Sequence, residues 1–124
     1  MTRRRRRVRK NSPIAESIIH TWVGEVQFNR GLNYVAQGLI YRQYRTGNII
    51  SAMCEGKNRG PQHYQIKAVI AEGKIEEVHC TCSIGKHGVC PHIAATLIQF
   101  SRTSDVFIEI TLWRWLKQLV GLGK

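Results

Sequence analysis

The chain predicts an α+β domain: a small antiparallel sheet of about four strands, an N-terminal helix or helices, a metal-clasped strand-to-helix element and a C-terminal helix. Three patterns in the 124 residues carry this expectation. Apolar residues recur every four positions near the N-terminus, the signature of an amphipathic helix. Through the middle they alternate instead, between short turns containing glycine, as half-buried strands do. Finally, three cysteines and a histidine form two close pairs, one at a strand end and one at the start of an apolar helical run.

The helical part begins after Asn11-Ser12-Pro13, with Ser12 placed as the cap and Pro13 at the first helical position. Ile14, Ile18, Trp22 and Val26 follow at four-residue spacing and are expected to form the buried stripe, with an interruption at Gly24. A second helix or a continuation runs from Phe28 to Gln37 and stops at Gly38, with Phe28, Leu32 and Val35 facing the core. Four strand candidates come next, at residues 39–44, 48–54, 62–71 and 74–82. Arg45-Thr46-Gly47 joins the first two and Glu72-Gly73 the last two. Between the middle pair lies a basic loop, residues 57–61, in which Lys57 and Arg59 are candidate phosphate contacts.

Cys80-Thr81-Cys82, seven further residues, then Cys90-Pro91-His92 supplies three soft sulfur donors and one imidazole. That is a full tetrahedral set for zinc (Zn2+), and four protein ligands make a structural rather than a catalytic site. Alternate strand residues point the same way, so Cys80 and Cys82 can meet one ion. Glycines at 85 and 88 let the intervening loop fold back. The alternatives are a disulfide pair or plain buried cysteines. Disulfides need an oxidising compartment, and the charged N-terminus has no apolar signal segment after it. His79 and His87 compete with His92 as the fourth ligand, but His92 sits one residue from Cys90 and opens a helix. Cys54, alone in an apolar run, reads as a small buried hydrophobe.

Cys-x-Cys, a short loop, then Cys-x-His followed by Ile93-Ala94-Ala95-Thr96-Leu97 resembles the SWIM zinc finger. The likeness extends upstream, where residues 28–38 resemble the helix that opens many bacterial modules of this kind. Residues 52–56 and 63–66 likewise resemble their central hairpin, so the likeness covers about residues 28–101. Pro91 departs from the pattern, since the family often carries a lysine there; the ligands are unaffected, but a basic group beside the metal is missing. The resemblance implies a DNA-binding or protein-interaction module. Such modules are attached to chromatin-remodelling-type ATPases, Mutator-type transposases, kinase-related ubiquitin ligases and recombination accessory proteins.

The net charge of +11 is uneven. Arg3, Arg4, Arg5, Arg6, Arg7, Arg9 and Lys10 form a tail that repels itself and has one apolar residue, so residues 1–11 are expected to be disordered. The guanidinium fork suits phosphate oxygens, and such a tail binds nucleic acid by counterion release with little sequence preference. A solubilising or targeting extension is the other reading. DNA is the favoured ligand, with RNA also open.

Residues 12–102 are expected to form the zinc-binding domain, and residues 103–124 an amphipathic C-terminal segment packing on it or on a partner. Within that segment, residues 108–112 alternate like a strand while residues 113–120 read as helix; one helix over residues 106–120 is the preferred reading, capped by Thr103-Ser104-Asp105. Trp113 and Trp115 would then point to nearly opposite sides, leaving one of them for a protein partner, with Leu119 beside it if that one is Trp115. No paired carboxylates, nucleophile elbow or phosphate-cradling glycine loop occurs, so no enzyme is expected. No apolar run approaches the roughly 20 residues that span a membrane. The expectation is an intracellular accessory module of the cytoplasm and nucleoid or of the nucleus, with a protein-interaction adaptor in a nucleoprotein complex as the alternative.

Overall fold

A computed structural model describes residues 13–56, 62–82 and 89–110. Two helices, α1 (Glu16–Val23) and α2 (Glu25–Ala36), lead into a meander of β1 (Ile40–Thr46), β2 (Ile49–Glu55), β3 (His63–Ala71) and β4 (Lys74–Cys80). Helix α3 (Pro91–Arg102), a 3-10 turn (Ser104–Val106) and a two-residue strand β5 (Ile108–Glu109) follow. The sheet has five strands in the order β4-β3-β2-β1-β5, antiparallel except where β5 runs parallel to β1. The α+β class and mostly antiparallel sheet are therefore as expected, with a fifth strand added.

Alternation sets the two faces of the sheet. Ile50, Ala52 and Cys54 of β2 and Ile66, Ala68 and Ile70 of β3 are buried together with Ile93, Leu97, Ile98 and Phe100 of α3. Helix α3 is buried at ten of its twelve residues and touches β1, β2, β3 and β4 as well as both other helices. Two tight turns fix the strand register. Glu72 and Gly73 both adopt positive φ (53° and 75°) between the paired Ala71 and Lys74, a two-residue hairpin turn twisted to suit its strands. The β1–β2 turn falls at Gly47-Asn48, between paired Thr46 and Ile49, two residues later than Arg45-Thr46-Gly47. A bulge between Tyr41 and Tyr44, with Arg42 at φ 51°, adds one residue to β1 and leaves both tyrosines opposite residues of one face, Met53 and Ser51.

Several expectations need correction. Pro13 is not the first helical position: α1 starts at Glu16 with Ala15 as its cap, and no side chain caps it. The buried stripe of α1 is Ile19 and Val23, continuous with Ile14, whereas Ile18, Trp22 and Val26 are exposed. Gly24 (φ 90°, ψ 160°) explains part of this, because it ends α1 and restarts the helical phase, so Val26 no longer continues the earlier series. Helix α2 begins three residues before Phe28. It buries Gly31 and Tyr34, while Phe28, Leu32 and Val35 pack half-buried against the core.

The single helix over residues 106–120 is also overturned in its first five residues. The Thr103-Ser104-Asp105 signal produces one 3-10 turn with no side-chain cap. Phe107 then drops into the core against Phe100, at 5.0 Å between ring centroids. Ile108 and Glu109 pair with Tyr44 and Arg45, and the Ile110 N–H donates to the Arg45 carbonyl at 2.8 Å. The open edge of β1 offers backbone hydrogen bonds that outweigh a weak helix start in a β-branched, alternating run. Residues 111–124, with Trp113, Trp115 and Leu119, lie outside the described residues.

Candidate metal centre

Cys80, Cys82, Cys90 and His92 come together in a buried cluster. One ligand atom from each lies within 4.8 Å of all the others. A tetrahedral site with metal–sulfur bonds of about 2.3 Å and metal–nitrogen bonds of about 2.0–2.1 Å has edges of about 3.5–3.8 Å. The His92 Nδ1 to Cys80 Sγ distance, 3.8 Å, already has that length. The donor set thus fits a four-coordinate metal ion with only small side-chain adjustment.

Each ligand is placed by local backbone chemistry. Cys80 ends β4 opposite Ile66, on the inner face of the sheet. Beyond it, Thr81 stays tied to β3: its N–H donates to the Gln65 carbonyl at 3.1 Å, and its Oγ1 accepts from the Gln65 N–H at 3.0 Å. That clasp carries the chain on to Cys82, whose thiol is buried like that of Cys80. Cys90 has extended backbone (φ −126°, ψ 169°) as the N-cap of α3, and its Sγ accepts from the Ile93 N–H at 3.4 Å. Pro91 takes the first helical position, where a missing N–H costs nothing. His92 follows in the first turn, with its carbonyl accepting from Thr96 Oγ1 at 2.9 Å. One sulfur therefore caps the helix and belongs to the four-donor group at once.

Electrostatics favour a thiolate here. Cys90 is pulled well below the ordinary thiol range, first by a hydrogen bond from the Cys80 thiol, then with help from His92 and the Ile93 amide, against the opposing effect of burial. Cys80 is pushed up by the same hydrogen bond and by burial, so it is the partner that keeps the proton. A thiolate at a helix N-terminus is also stabilised by the helix dipole.

His79 is excluded from this cluster. It precedes Cys80 on β4, so its side chain lies on the opposite, exposed face, across from Lys67. His20 packs edge-on against Phe28 at 4.7 Å, and Tyr41 Oη and His63 Nδ1 are 2.5 Å apart. Cys54 is buried on β2, as its apolar surroundings imply, and does not belong to the four-residue group. His87, Lys57, Arg59 and the tail residues Arg3, Arg4, Arg5, Arg6, Arg7, Arg9 and Lys10 fall outside the described residues.

Two neighbours of the centre had no sequence signal. The Tyr64 ring lies over His92 at 4.6 Å and 32°, and the Tyr34 ring meets it edge-on at 5.2 Å and 85°. The Tyr64 phenol is pushed up by lost hydration and by the sulfurs of Cys82, Cys80 and Cys54. In sequence these tyrosines are ordinary apolar positions of a strand and a helix.

Among the described residues no helix is long and apolar enough to cross a membrane. Comparison with protein-family models, curated proteins and solved structures finds no match for this chain.

Proposed function

We propose that this chain is a zinc-stabilised, non-catalytic accessory module of the SWIM kind that binds nucleic acid through its arginine-rich tail. The observation that carries the reading is the buried Cys80-Cys82-Cys90-His92 group joining a strand end to a helix start. Three sulfurs and one imidazole suit zinc, and a set closed by four protein ligands leaves no position for a reacting water. In this reading the metal supplements the modest core that a chain of this length buries.

The charge distribution supports the second half of the proposal. All eight acidic residues of the chain lie within the described residues, against six of its 19 basic ones. The described part of the body is thus slightly acidic and has no general attraction for phosphate. Residues 3–10, with seven of the 13 other basic residues, are the densest source of it.

Salt titrations of binding to duplex DNA, single-stranded DNA and RNA test this, using the full chain and a chain lacking residues 1–10. The full chain should bind duplex DNA with a steep log–log salt slope, and the deletion should reduce that slope by about 0.9 for each phosphate that the tail neutralises. Equal slopes would remove the tail from the interface. Absence of binding at low salt would favour the second reading, an adaptor within a larger nucleoprotein complex. That reading draws on the apolar Ile18, Trp22 and Val26 side chains left exposed on α1 and α2.

A further inference from the structure

We propose that Tyr34 and Tyr64 are positioning residues for the metal, acting as a clamp that turns His92 so that Nδ1 is its donor atom. The inference rests on the metal reading above and adds to it the atom that binds and the groups that aim it.

An imidazole on the first turn of a helix can rotate about its side-chain bonds and present either nitrogen. Here it is restrained on two sides. Tyr64, from β3, lies over it at 4.6 Å, while Tyr34, from α2, makes a perpendicular ring contact at 5.2 Å. Between them they leave Nδ1 on the side of the cysteines, 3.8 Å from Cys80 Sγ.

Both walls are themselves anchored. Tyr64 Oη donates to Gln62 Oε1 at 2.6 Å, and Gly56 packs so closely that a Cβ there would stand 2.9 Å from the Tyr64 ring. Tyr34 reaches His92 because Gly31, one turn earlier on α2, lets that helix approach the backbone of α3. The two ring contacts come from β3 and α2 onto an imidazole carried by α3, so the imidazole is aimed before any metal arrives. Groups that orient a metal-bound histidine normally act through its second nitrogen; here packing on the ring does that work.

Two measurements test the clamp. In an imidazole nitrogen NMR spectrum of the cadmium-loaded parental chain, coupling to the metal should appear at His92 Nδ1; coupling at Nε2 overturns the proposal. In cobalt titrations, Tyr64→Phe should keep the parental visible bands and stay near the parental affinity, because it loses the Gln62 hydrogen bond but retains the ring and its packing on Gly56. Tyr64→Leu should bind about 10–100-fold more weakly and show altered bands, reporting a changed donor set. Parental bands in loaded Tyr64→Leu would mean that the ring only fills core volume, and the proposal falls. Should Tyr64→Leu fail to fold even with cobalt, the nitrogen spectrum of the unmutated chain decides. A parental chain that takes up no metal would sink the metal reading itself, an outcome distinct from either failure of the clamp.

Discussion

Gly31 of α2 faces Ala94 of α3 with no room for a side chain: a Cβ on Gly31 would stand 2.8 Å from the Ala94 Cβ and 2.8 Å from the Ala95 nitrogen. Because one of those atoms is helix backbone, relief requires the two helices to separate.

Gly31→Ala should therefore destabilise the metal-loaded protein. Alanine gains about 1 kcal/mol of helix propensity over glycine, while overpacking costs about 1–3 kcal/mol. With a rigid backbone atom in the clash the upper part of that range applies, leaving a net loss of about 1–2 kcal/mol. Urea unfolding reads this directly, and a stabilised variant would show that α2 and α3 can part freely.

The orientation of α1 makes a second prediction. Ile19 is fully buried, whereas Trp22 is 39% exposed. Ile19→Ala should cost about 2–5 kcal/mol and Trp22→Ala much less, despite the larger side chain removed. The reverse order in thermal or urea unfolding would restore the Ile18-Trp22-Val26 stripe as the core face.

Two links tie the end of α3 to α1 and to the residues just before it; they differ in depth, and their mutants should differ accordingly. Ser101 Oγ, buried, donates to the Ile14 carbonyl at 2.7 Å. Arg102 makes a two-pronged pair with Glu16 at the surface, where both side chains are more than a third exposed. Ser101→Ala should cost about 1–2 kcal/mol. Glu16→Gln should cost less than about 1 kcal/mol, and less again at high salt. An equal or larger loss for Glu16→Gln would mean that the surface pair is far better ordered than exposed pairs usually are.

The central strands and the metal cluster were legible because each rests on a strict local rule. Alternation at Tyr64, Ile66, Ala68 and Ile70 has one solution, and Glu72-Gly73 is a strong turn signal. Spacing alone brought Cys80, Cys82, Cys90 and His92 together. Helix α1 was harder, since Ile18, Trp22 and Val26 compete with Ile19 and Val23 for the same core. Tertiary packing, not periodicity, chose between the two stripes. The short strand at Ile108 and Glu109 depended on a free edge of β1 that no local pattern announces. Tyr34 and Tyr64 were invisible as site residues because their roles come from contacts across the fold.

Metal removal tests coupling between the centre and folding. The four donors sit at the end of β4 and the start of α3, and α3 is buried at ten of its twelve residues, so a strong chelator should abolish the cooperative unfolding transition rather than merely lower its midpoint. Mild acid should have the same effect, because the metal binds thiolates and protons compete for the same sulfurs. Far-ultraviolet circular dichroism with and without chelator is the readout. An unchanged transition would make the cluster structurally dispensable.

The most direct test of the account is the metal content of the purified parental chain beside Cys90→Ser and His79→Ala, by native mass spectrometry and elemental analysis. The parental chain and His79→Ala should each hold one zinc, and Cys90→Ser should hold none or lose it to a weak chelator. A full complement of zinc in Cys90→Ser, or its loss from His79→Ala, would contradict the assignment of Cys80, Cys82, Cys90 and His92 as the metal centre.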